Sequence, residues 1–235
     1  MPIANRLLDA KPSGVEFSLI TYDLGGITYY SRVDVFPAMP PVADPRDINT
    51  GCYNKVSWDR YAWWGEAPCA IGFDTVRAAF VANRQSPTRW WLMSIVHHPM
   101  AYAEHRFSHF SRNIRLSTNG PKLPSLSPKS DPNEWNIITR TNPLSDAIDR
   151  LAVDSERTPL GWPFCWMLLG SAALLALPQA RQRGCSEALL WSGLLYGLSD
   201  LPLSVASEVR NHLWTMLALG IGSLQAFDAR WGLHT

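Results

Sequence analysis

Three apolar stretches in the last third of the chain constrain its fold more than any other feature. Residues 158–180 (TPLGWPFCWMLLGSAALLALPQA) are uncharged, residues 188–207 are broken only by Asp200, and residues 211–227 are again uncharged. A helix needs roughly 20 mostly apolar residues to cross the hydrocarbon of a bilayer. Each stretch alone would also suit a buried helix of a soluble core. Three in succession with short links, and with Trp162, Trp166, Trp191, Trp214 and Trp231 within them or at their ends, match a membrane part with an interfacial aromatic belt. The expectation is a mainly α chain: an irregular helical extracytoplasmic segment over 1–157, then about three transmembrane helices near 160–180, 188–207 and 212–228.

Whole-chain averages conceal this division. A hydrophobic content of 46% and a mean hydropathy of -0.09 are the mean of a polar front and an apolar end. The net charge of +1 offers no basic stripe for nucleic acid; membrane lipid is the expected partner. Arg181 and Arg183 lie between the first two runs and Arg230 after the third, whereas the link before the third run sets Arg210 beside Glu208. The positive-inside rule then places the Arg181/Arg183 loop and the C-terminus in the cytoplasm. The 1–157 segment is then expected on the outer side of the membrane. Its first thirty residues hold neither an export signal nor a membrane helix, so the chain reads as the C-terminal part of a longer polytopic protein.

Cys52 and Cys69 flank an aromatic loop, CYNKVSWDRYAWWGEAPC. A bridge between them would contribute about 3 kcal/mol by loop closure and needs an oxidising compartment; two free thiols are the alternative. Residues 14–24 read as a short helix stopped by Gly25-Gly26, and 37–45, with four prolines, as extended linker. Asp74 is the expected N-cap of a helix to Asn83, and Ser86-Pro87 opens a helix that Pro99 kinks or ends. From Met100 to Leu116, Ala103, Phe107, Phe110 and Ile114 form an apolar stripe, leaving Arg106, Arg112 and Arg115 with His105 and His109 on the surface. Such a helix suits either the headgroup layer or the outside of a soluble core. Residues 117–135 read as loop and 146–154 as a short amphipathic helix.

Chemistry-bearing residues are few. His98, His105 and His109 fall on nearly one helical face, which could grip a metal, but the H-E-x-x-H order is absent and capping or interfacial roles are commoner; no metal is expected. Asp200 sits within an apolar run, where an ionisable group is a functional hypothesis by default, although a place near the outer interface explains it as well. Asp23, Asp59 and Glu66 could act as a general base, and Trp58, Tyr61, Trp63 and Trp64 could stack on sugar rings, enter a bilayer or pack a small core. No nucleophile elbow, phosphate loop or dinucleotide fingerprint occurs, and no cofactor is expected.

The order YDLGGI (22–27), VFP (35–37), the Cys52–Cys69 loop, HPMAYAEHRFSHF (98–110) and SEVRNHLW (207–214) resembles the C-terminal part of a group of bacterial polytopic membrane proteins. That group is similar in layout to GT-C type glycosyltransferases, which transfer sugars from lipid-phosphate donors on the outer face of the membrane. The resemblance implies an extracytoplasmic region followed by closing membrane helices, and a lipid-phosphate-linked sugar as partner. The GT-C catalytic carboxylate lies in the first external loop, a region without counterpart here, so no catalytic residue carries over and the chain is not expected to be catalytically complete alone. Arg210-Asn211 stands where the related pattern has Arg-Tyr. Trp58, Asp59, Trp63, Trp64, His105, Arg106 and His109 are the expected substrate-binding residues. The competing readings are a non-enzymatic, membrane-anchored binding module that holds a partner through the 52–69 loop and, further behind, a hydrolase using His98, His105 and His109 with a metal.

Overall fold

The computed structural model describes residues 16–39, 44–62, 69–117, 142–155, 157–176 and 184–231. Among these the chain is mainly helical, as expected, and contains no strand. It forms two compact units, Met1–Arg106 and Phe107–Thr235. Residues 118–135 of the expected loop, Trp63, Trp64, Glu66 and the Arg181/Arg183 link lie outside the described residues.

The first unit is built around α1 (Glu16–Ser31), against which α2 (Pro45–Cys52), α3 (Phe73–Ala82) and α4 (Pro87–His97) pack. The Gly25-Gly26 pair does not stop α1; the helix continues through it for another turn and a half to Ser31. Glycine costs a helix about 1 kcal/mol per residue relative to alanine, and here close packing offsets that cost. A Cβ on Gly25 would lie 2.1 Å from the Tyr61 hydroxyl oxygen, and one on Gly26 would lie 2.2 Å from Cγ and Nδ1 of His105. The pair is a groove for two side chains.

At the start of α3 the cap is Gly72, with no side-chain bond, and Asp74 sits inside the first turn rather than at the N-cap. Asp74 still suits that place, because a carboxylate in the first turn faces the positive end of the helix dipole. Val76, Ala79 and Phe80 are the buried face of this helix. Ser86 caps α4 by accepting from the Arg89 amide, with Pro87 in the first turn. α4 ends at His97, and α5 (Pro99–Asn113) begins at the expected proline.

The faces of α5 differ from the expected ones. Ala103 and Phe107 are exposed, whereas His105, Arg106, His109 and Asn113 are buried, as are Phe110 and Ile114. Charged residues are almost never fully buried unless paired, and the partner of His105 and Arg106 is Asp23, far away in sequence.

The second unit contains α6 (Pro143–Ser155), α7 (Pro163–Ala176), α8 (Gly184–Leu203) and α9 (Leu213–Trp231), the last three packed on one another. Leu219 of α9 is the meeting point: a Cβ on Gly170 of α7 would lie 2.5 Å from it, and one on Gly193 of α8 would lie 2.8 Å away. Phe110, Ile114, Met167, Leu190, Leu194 and Leu219 make the buried apolar cluster. No helix among the described residues is long and apolar enough to cross a membrane. At 1.5 Å per residue the 14 residues of α7 extend about 21 Å. The 20 residues of α8 extend about 30 Å, but they include Glu187 and Asp200.

Candidate functional site

Asp23 is the hub of the first unit. It sits on α1, fully buried, and its carboxylate is claimed by three donors. His105 Nε2 lies 3.0 Å from Oδ1, Arg106 Nη2 lies 2.5 Å from the same oxygen, and Trp91 Nε1 donates to Oδ2 at 2.8 Å. On the other side of the imidazole, the Tyr53 hydroxyl lies 2.7 Å from His105 Nδ1.

Electrostatics fixes the protons. Burial by itself raises the Asp23 carboxyl, but the His105 hydrogen bond and the Arg106 guanidinium outweigh it and hold the group below its usual range. Burial lowers His105, against the pull of Asp23, so the imidazole is neutral. A neutral imidazole has one donor and one acceptor. A carboxylate only accepts, so Nε2–H donates to Asp23 and Nδ1 accepts from Tyr53 O–H. Burial, first of all, also raises the Tyr53 and Tyr61 phenols, which remain protonated donors.

A second layer surrounds this chain. Tyr61 donates to Asn49 Oδ1 at 2.5 Å, Asn49 Nδ2 donates to the Gly25 carbonyl at 2.8 Å, and Tyr22 donates to the Asn54 carbonyl at 2.9 Å. Asn49 is buried on α2, so the carbonyl of a helix-interior glycine gains an extra donor there. The Cys52–Cys69 disulfide closes the loop that carries Tyr53 and Tyr61, with Cα atoms 5.5 Å apart.

The expected site residues separate in this structure. His105 and Arg106 come together, in the buried ion-pair cluster, where neither faces solvent. Trp58 and Asp59 lie in the disulfide-closed loop: Trp58 packs on Phe73 with ring centroids 4.8 Å apart, and Asp59 is exposed and accepts from Ser57 Oγ. His109 belongs to the second unit, buried with its Nδ1 3.4 Å from Ser207 Oγ. Among the described residues, no group of three or more His, Cys, Asp or Glu side chains is placed to hold a metal.

The second unit has its own polar cluster. His212 Nε2 and Asn113 Nδ2 approach Asp200 Oδ2 at 3.2 and 3.4 Å, and Asn113 Nδ2 also reaches Ser204 Oγ at 3.3 Å. Asp200 therefore works as an intramolecular acceptor on α8.

An open cavity of about 480 Å³ lies on the first unit, where the C-terminal end of α1 meets α2. Tyr29, Tyr30, Arg32, Arg46, Asp47 and Glu104 line it. Sequence reasoning singles out only Glu104 among these, as a third ligand for a metal held by the histidines, although the adjacent Tyr29-Tyr30 pair with Arg32 is a visible polar–aromatic cluster. Comparison with protein-family models, curated proteins and solved structures finds no match.

Proposed function

We propose that this is an integral membrane protein of lipid-linked sugar transfer, with its last three helices in the lipid and its disulfide-closed unit on the extracytoplasmic side. The observation that carries the reading is the polarity of the helices in the second unit. Their outward positions are large and apolar: Leu168, Leu169, Leu175, Trp191, Leu195, Leu198, Leu217, Leu224 and Phe227 are exposed. Their inward positions include the small or polar Gly170, Ser186, Gly193, Gly197 and Thr215 beside Met167, Leu190, Leu194 and Leu219. Monomeric soluble proteins rarely expose apolar patches larger than a few hundred Å². Small and polar residues between helices, with leucine facing outward, are what association in lipid favours.

The Cys52–Cys69 bridge supports the extracytoplasmic side, since disulfides persist in oxidising compartments. Lipid-linked sugar transfer rests on the resemblance to GT-C layouts. The burial of Asp23, His105 and Arg106 favours a supporting role for them rather than a catalytic one.

Fractionation tests the reading. After detergent-free lysis of expressing bacteria, the chain should sediment with membranes, resist a carbonate wash and be released by detergent. Recovery in the high-speed supernatant would refute it.

A further inference from the structure

We propose that the cavity at the C-terminal end of α1 is a carbohydrate subsite that takes one neutral hexopyranose ring. Its volume of about 480 Å³ falls in the range of small-molecule sites, about 300–1,000 Å³. Its lining has the three kinds of group that a sugar needs. Arg32 and Arg46 donate hydrogen bonds, Asp47 and Glu104 accept them, and Tyr29 and Tyr30 supply aromatic surface. A pyranose presents hydroxyls that both donate and accept around its edge, and C–H groups on its faces. Two arginines and two acids line the cavity, and Asp44 Oδ2 lies 3.6 Å from Arg46 Nη2, a mixed set of donors and acceptors that suits a neutral polyol better than a bare phosphate.

The geometry is preorganised. Arg46 Nη2 lies 3.5 Å from Asp47 Oδ1, so donor and acceptor stand side by side, spaced for vicinal hydroxyls. Arg32 holds φ 58°, and its amide donates to the Thr28 carbonyl at 3.0 Å, turning the chain out of α1 at the cavity. Tyr29 is 38% exposed, enough to offer a ring surface. It rests on Tyr30 and Tyr53, with ring centroids 5.2 and 4.7 Å away. Tyr53 is in turn fixed by His105 and Asp23. The buried cluster is thereby a brace for an aromatic platform, which gives a function to a network that has no solvent access of its own.

A neighbouring cavity of about 390 Å³ shares Tyr30 and Glu104 and includes His97 and His98, leaving room for the group attached to the sugar. That the sugar belongs to a lipid-linked donor rests on the function proposed above; recognition of the ring rests on the cavity alone.

The test is saturation-transfer NMR on the full chain in lipid nanodiscs, free of sugar-headed detergent. The probes are methyl α-glucopyranoside, mannopyranoside and galactopyranoside, with hexose 1-phosphate alongside. At least one methyl hexoside should bind with Kd of about 1–10 mM. Tyr29→Ala and Asp47→Asn should each weaken it about tenfold, while Tyr29→Phe retains it and the circular dichroism of all three stays unchanged. Hexose 1-phosphate should gain no more than about threefold over the methyl glycoside. Absence of transfer from every hexoside, unaltered binding in the Tyr29→Ala/Asp47→Asn double variant, or binding of the phosphate alone would overturn the proposal. A membrane-embedded chain that binds no hexoside removes only this inference, whereas a chain recovered without membranes that still binds removes only the membrane reading.

Discussion

Gly26→Ala should destabilise the first unit by about 3 kcal/mol, a sign opposite to what helix propensity alone dictates. Propensity favours alanine in a helix interior by about 1 kcal/mol. The new methyl, however, would lie 2.2 Å from the His105 ring, where carbon contacts ordinarily begin near 3.5 Å. The ring or the helix must therefore retreat by about 1.3 Å. His105 holds bonds of 2.7 Å to Tyr53 and 3.0 Å to Asp23, and neither survives such a displacement. Overpacking costs about 1–3 kcal/mol, and each buried group left without its partner costs about 1–3 kcal/mol more. These losses exceed the gain in propensity. Gly51→Ala is the control, since a Cβ there meets nothing within 4 Å; it should stabilise by about 0.5–1 kcal/mol. The assay is urea unfolding followed by tryptophan fluorescence, which senses Trp91 through its bond to Asp23. Equal or greater stability of Gly26→Ala relative to wild type would refute the close-approach argument.

Acidification should destabilise the first unit in two stages. Burial holds His105 below its unfolded value, so the unfolded chain takes up that proton first and stability falls as pH drops below about 6.5. Asp23, held low against burial by His105 and Arg106, adds a further loss below about pH 4. A urea midpoint that is flat or rises from pH 7 to pH 5 would contradict this, and His105→Gln should remove the first stage. Replacing both Cys52 and Cys69 by serine, or reducing the bridge, should cost about 3 kcal/mol for a closure across 17 residues, read as a lower thermal midpoint; no shift would mean that the loop is held by packing alone.

Local signals made part of the fold legible. Ser86-Pro87 and Pro99 mark helix boundaries through local chemistry, a missing amide and a hydroxyl acceptor, and both stand where the sequence put them. Gly25-Gly26 was misleading because its helix-breaking tendency is local, whereas the side chains of Tyr61 and His105 that fill the groove come from distant segments. The face of α5 was legible only in part for a related reason: Phe110 and Ile114 are buried as expected, whereas Ala103 and Phe107 are exposed. His105 and Arg106 look like surface residues until Asp23, 82 residues from His105, is placed against them. Spacing left the Cys52–Cys69 bridge open against two free thiols, and Tyr53 as an imidazole partner and the Tyr29 platform needed the packing of α1 against the loop that follows α2. In the second unit the glycines that meet at Leu219 set how closely the helices approach, and their partner comes from another helix.

The most direct test of the account is the solvent that surrounds the outward leucines. With Cys165 and Cys185 replaced by serine, a nitroxide at Leu195→Cys or Leu217→Cys, both exposed on the second unit, reports its collision partners by electron paramagnetic resonance. In membranes the account predicts frequent collisions with dissolved oxygen and few with a water-soluble nickel complex, and the opposite at Asp59→Cys. Free access of the nickel complex to Leu195→Cys and Leu217→Cys would contradict it.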